Sequence, residues 1–126
     1  MTRDELIESM AQGIATMEGF YKPLTFAARH NNPGNLRSWG KMPVVNGYAK
    51  FPTVEEGWAA LREQIAKNVF ARKLTFLEFF AGKPNVYGGY APGVDNNLPK
   101  EYAKFVQGRV AQASTINAVI ADLVDS

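Results

Sequence analysis

Three times in its 126 residues the chain reads Thr-x-x-Glu: Thr2 to Glu5, Thr53 to Glu56 and Thr75 to Glu78. That spacing is a capping box, in which a Thr hydroxyl and a Glu carboxylate satisfy free amides in the first turn of a helix. It commits much of the chain to helices with defined starts. The first predicts a helix from about Arg3 to Met17, with Ile7, Ala11 and Ile14 on one stripe and Gly19 placed to end it. The second predicts Val54 to about Ala71, with Trp58, Leu61, Ile65 and Val69 buried. The third predicts Phe76 to Ala81, stopped by Gly82. Pro99 can open a fourth helix through about Val110, and Ser114 or Thr115 can cap a last one through Leu123.

Between the first two helices, Phe20 to Pro52 is rich in Asn, Pro and Gly, which is loop composition. Within it, Val44 to Phe51 reads as a small hairpin, because Asn46-Gly47 suits a type I′ turn between β-branched and aromatic residues. Lys83 to Leu98 is a second irregular stretch, and Tyr87-Gly88-Gly89-Tyr90 within it reads as a flexible aromatic loop. The length predicts one domain over residues 1–126. Its class is α+β, mainly α, with the hairpin inserted after the first helix.

Composition removes whole classes of chemistry. With no cysteine there is no disulfide framework, thiolate metal site or cysteine nucleophile, and one histidine, His30, argues against a hydrolytic zinc centre. Neither metal nor cofactor is expected. A net charge of +2 suits an anionic partner. Lys and Arg are scattered and no base-reading helix is evident, so nucleic acid is not the expected partner. Nor does any apolar run approach the roughly 20 residues that span a membrane, and the first residues lack a secretory core.

Most carboxylates have ordinary explanations as caps or solvent-facing groups. Glu18 does not. Continued at 100° per residue, the first helix puts position 18 about 20° from Ile7, at the inner edge of the apolar stripe where the helix stops. Desolvation disfavours the charged form of a carboxyl, so a group there can hold a proton and deliver it to a leaving sugar oxygen. Periodicity alone leaves a second reading open, in which the helix frays early and Glu18 points to water.

The series Met17-Glu18-Gly19-Phe20-Tyr21, Arg29-His30-Asn31-Asn32-Pro33-Gly34-Asn35-Leu36-Arg37, Phe51-Pro52-Thr53 to Gly57-Trp58, and Tyr90-Ala91-Pro92 with Tyr102 resembles the lysozyme-like superfamily. The likeness is to phage and bacterial lytic transglycosylases and endolysin-type proteins, and more distantly to cell-wall glucosaminidases. It covers about Ile7 to Val106, with Asn-Asn-Pro-Gly-Asn as its most specific part.

The resemblance implies a single lysozyme-like domain that degrades peptidoglycan glycan strands at the β-1,4 bond between N-acetylmuramic acid and N-acetylglucosamine. It makes Glu18 the general acid/base and Tyr90 a second catalytic residue. Asn31, Asn32 and Asn35 would belong to the loop that shapes the cleft and holds the glutamate or the sugar amides of the substrate, and Tyr102 is a further candidate for substrate contact. Asp95 is the one carboxylate available on the Tyr90 side. Hydrolases want two flanking carboxyls, whereas a lytic transglycosylase manages with one, which favours the transglycosylase over a muramidase or glucosaminidase. A non-catalytic wall-binding or virion module is the rival from another class.

Tyr48 and Trp39 can line a sugar groove or pack the hairpin. Arg29 and Arg37 can meet acidic substrate groups or their own loop, and His30 reads as a loop hydrogen-bonder. The expected protein is a monomer made in the bacterial cytoplasm, reaching the wall through holin-type release or from a virion.

Overall fold

The computed structural model describes residues 1–92, 98–110 and 112–125, and it is an α+β fold dominated by helices. In chain order these are α1 (Arg3–Met17), α2 (Phe26–Arg29), β1 (Val44–Val45), β2 (Tyr48–Ala49), α3 (Val54–Arg72), α4 (Phe76–Ala81) and α5 (Pro99–Gly108), followed by a 3₁₀ turn over Ile120–Leu123. Packing groups the residues into two compact units. One is Met1–Met10 with Ile65–Ser126, and the other is Ala11–Gln64, so the boundary falls inside α1 and α3.

All three capping boxes start helices. Thr2 and Glu5 exchange bonds of 2.8 and 3.1 Å, and Thr75 and Glu78 bonds of 2.9 and 3.1 Å, while the Glu56 amide donates to the Thr53 hydroxyl at 3.2 Å. The backbone and hydroxyl of Thr2 hold the exposed Glu5 carboxyl below its ordinary pKa.

In the first unit, α4 delivers Phe76, Phe79 and Phe80 to a core that also holds Leu6, Met10, Ile65, Val69, Leu74 and Val106. The Phe80 ring stacks on Tyr102 of α5 at 4.4 Å. The Tyr87 to Tyr90 stretch is tied down rather than loose. Lys83 and Tyr87 pair through both backbone groups, and Tyr90 and Ala91 donate to the carbonyls of Phe79 and Phe80. Gly82 and Gly89 lie so close that a Cβ on Gly89 would sit 2.7 Å from the Gly82 nitrogen.

The last predicted helix is corrected. Residues 115–119 run alongside the start of α4, where Leu77 N donates to Ile116 O, Phe76 N to Ala118 O, and Ile120 N to Leu74 O. Thr115 turns its hydroxyl to the Asn117 amide, and Val119 pairs with Thr75 as a bridge. Ala118 N turns back onto Thr115 O, Val119 is extended where it pairs with Thr75, and Ile120 opens the 3₁₀ turn; a β-branched side chain such as Val119 loses little in that extended position.

In the second unit, Ala11, Ile14, Ala15, Ala27, Leu36, Ala49, Phe51, Ala60 and Leu61 are buried. Trp58 is only half-buried, edge-on to Phe20 at 5.4 Å, so it rims this core where the stripe places it inside. The hairpin forms as read: Asn46 (φ 56°) and Gly47 (φ 84°) make the turn, and Val44 pairs with Ala49 and Val45 with Tyr48.

Gly57 in the first turns of α3 marks the closest approach in this unit. A Cβ there would stand 1.9 Å from the Asn31 carbonyl oxygen and 2.9 Å from Pro33 Cδ. Backbone cannot yield by that much without moving the Asn loop. Gly57→Ala is expected to lose about 2–3 kcal/mol despite its better helix propensity, which a fall of roughly 10 °C in melting temperature would report.

Candidate functional site

Glu18 is the last residue held by α1, its amide bonding Ile14 O at 2.9 Å. The chain then turns through Gly19 in the left-handed region (φ 77°), with Gly19 N on Thr16 O at 3.2 Å and Phe20 N on Ala15 O at 3.0 Å. These are the two bonds of a Schellman motif, and they make Glu18 the C-cap residue. The helix does not fray before it, and Glu18 is half-buried, not splayed into water. Partial negative charge from the last carbonyls of α1 gathers at the same end.

Thr25 fixes the turn from the other side. Its hydroxyl donates to Gly19 O at 2.9 Å, with Lys22 O at 3.2 Å, and accepts from Ala28 N at 3.1 Å as the N-cap of α2. The Phe20 ring meets Tyr21 and Trp58 edge-on at 5.3 and 5.4 Å, and the Tyr21 hydroxyl donates to Gln12 at 2.6 Å. Glu18 therefore sits at a capped helix end, two residues before the Phe20 ring of this small aromatic cluster. Helix α2 was not foreseen: four residues are too few for periodicity, and only Thr25 three residues before Ala28 hints at it.

The Asn loop follows α2. Asn32 is fully buried, and its carboxamide is spent inside the fold: Nδ2 donates to Leu36 O and Ala49 O, and Oδ1 accepts from Leu36 N, all at 2.9 Å. As a substrate contact Asn32 is corrected, because it locks the loop to β2 and presents nothing outward. Asn31 is half-buried with φ 53° and donates from Nδ2 to Phe51 O at 3.1 Å. Asn35 is also half-buried, with φ 50°, and its Oδ1 is buried without a hydrogen-bond partner.

His30 is 3 % exposed, with Nδ1 unpartnered. Burial depresses its pKa below 6.5, the charges of Lys50 and Arg29 add to this, and a hydrogen bond to the Ala49 backbone opposes it. The unfolded chain then binds the extra proton first, so stability present above pH 6.5 is lost as pH falls below that value. Melting temperature is expected to drop between pH 6.5 and 5.5, and His30→Gln should flatten that slope. An unchanged slope in the variant would assign it to other groups.

Tyr48 is half-buried at the hairpin, 5.7 Å from the Phe26 ring. Trp39 is half-buried too. Tyr90 and Tyr102 belong to the other unit. Tyr90 is half-buried and lies parallel to Phe79 at 5.7 Å. Tyr102, 3 % exposed and stacked on Phe80, is core, so its expected substrate contact is also corrected. Asp95 lies outside the described residues. Glu18, Asn31, Asn32, Asn35 and Tyr48 are thus gathered in one unit with His30, which sequence reasoning left as a loop residue.

Among the described residues no three His, Asp or Glu side chains cluster as metal ligands, and no helix is long and apolar enough to cross a membrane. No family model matches the chain, and no curated protein or solved structure is similar enough to count as a match.

Proposed function

We propose that this chain is a lysozyme-like enzyme that cleaves peptidoglycan glycan strands as a lytic transglycosylase, with Glu18 as general acid and then base. The observation that supports this reading is a partly buried glutamate at the Schellman-capped end of α1, held there by the backbone bonds of Glu18, Gly19 and Phe20. In the first step Glu18 gives its proton to the glycosidic oxygen between N-acetylmuramic acid and N-acetylglucosamine as that bond breaks. In the second, the Glu18 carboxylate takes the proton of the muramic 6-hydroxyl, whose oxygen closes onto the anomeric carbon as a 1,6-anhydro ring. One carboxyl returns to its starting state and no water enters.

In this reading Asn31 and Asn35 belong to the loop that shapes the cleft, and Asn32 holds that loop in shape. The enzyme acts as a monomer on the wall, reached by holin-type release or from a virion.

Mass spectrometry of fragments released from purified Gram-negative peptidoglycan tests the proposal. Products ending in 1,6-anhydro-muramic acid are expected. Reducing ends would make the enzyme a hydrolase, and the sugar at the new end would name the bond. Release of nothing would favour the wall-binding or virion module.

A further inference from the structure

Residues 19–54 hold five of the fourteen Lys and Arg residues and none of the twelve Asp and Glu residues. The mild net charge of the chain therefore hides a strongly cationic stretch, offset by acid elsewhere. The fold concentrates part of it on one face of the Ala11–Gln64 unit. The Arg29 guanidinium lies over the Phe26 ring at 5.1 Å, and the Arg37 guanidinium lies over Tyr48 at 5.2 Å. The two rings are 5.7 Å apart, tilted by 35°. Phe26 is 39 % exposed, and Arg29, Arg37 and Lys50 are exposed as well. Lys50 follows Tyr48 by two residues, and its amide continues the hairpin ladder onto Pro43 O, so its side chain leaves the strand on the Tyr48 side.

A ring under a guanidinium orients it without neutralising it, so each cation–π pair holds a planar fork of donors at a fixed place. Two such forks on an aromatic platform, in a stretch with no acid, fit carboxylates carried on a glycan: the forks pair with carboxylate oxygens while the ring faces take sugar or peptide carbons. We infer that the Arg29–Phe26–Tyr48–Arg37 face, with Lys50, binds the free carboxylates of peptidoglycan stem peptides and so positions the strand for Glu18. This rests on the proposed function for its polymer, but it concerns binding and not bond cleavage.

The test uses the full chain carrying Glu18→Gln, so that the wall stays intact, sedimented with insoluble peptidoglycan in two forms, native and with its stem carboxylates amidated. Binding to the amidated wall is expected to be about tenfold weaker, as is binding of Arg29→Gln/Arg37→Gln to the native wall, with both differences shrinking at high salt. Lys50→Gln should weaken binding by a smaller factor. Equal binding to both walls overturns the inference, and so does a folded double variant that binds like its parent. If the double variant loses its melting transition, the comparison of the two walls decides, because that protein keeps its arginines. Tighter binding of duplex DNA than of native wall at the same salt also overturns it, in favour of a phosphate partner. Carboxylate-dependent binding by a chain whose Glu18 form releases no fragments supports this inference while sinking the cleavage reading.

Discussion

Replacing Asn32 by alanine is expected to cost about 3–5 kcal/mol, enough to shift the melting temperature by more than 10 °C. The reason lies in where its three hydrogen bonds go. The Leu36 amide loses its partner outright, while the Leu36 and Ala49 carbonyls each lose one of two donors inside a buried loop. A buried amide with no acceptor alone costs about 1–3 kcal/mol, and the truncation also leaves a cavity. Asn32→Asp keeps the shape and Oδ1 but loses both donations and buries a carboxyl, so it should be no better tolerated. Thermal melts of both variants check this; a shift under 3 °C would mean that the loop is held mainly by Asn31 on Phe51 and by the hairpin.

Glu18→Gln is expected to reduce glycan release at least about 100-fold, the scale of a lost general acid, while leaving the fold and wall sedimentation unchanged. Glutamine keeps the volume and hydrogen-bonding reach of the side chain, and the Schellman turn is made by backbone atoms of neighbouring residues. A melting temperature within 2 °C of the parent would tie the loss to chemistry. Glu18→Asp should retain little more, because withdrawing the carboxyl by one methylene takes it out of proton-transfer reach. If Glu18→Gln releases fragments at the parental rate, Glu18 is not the acid and the proposal falls.

What was legible in the sequence was local. The Thr-x-x-Glu boxes, Gly19 and Gly82 as stops, and Asn46-Gly47 as a turn each carry their geometry within a few residues, and the structure places all of them. The edge position of Glu18 was legible too, because it follows from rotation along a helix whose end Gly19 marks. The long-range pairing was not. Residues 115–119 carry apolar spacing that suits a helix, yet they pair with the chain before and within α4, about forty residues away in sequence, and nothing local announces that choice. Asn32 illustrates the same limit within a site: Asn-Asn-Pro-Gly-Asn names the loop, but only the fold shows which carboxamide is consumed inside it. Gly57 was visible as a glycine in a helix, whereas the Asn31 carbonyl that requires it was not.

The hairpin turn has one more consequence, seen as a choice among residues that fold alike. At Asn46 the left-handed backbone accepts Asn, Asp or Gly, and Asp-Gly makes the same turn as Asn-Gly. Position 46 is exposed, so conformation and packing do not decide between the amide and the acid. An aspartate there would build the same hairpin and put a negative charge where the surrounding stretch has none. With the amide at this turn, the hairpin adds no negative charge to a stretch that carries none.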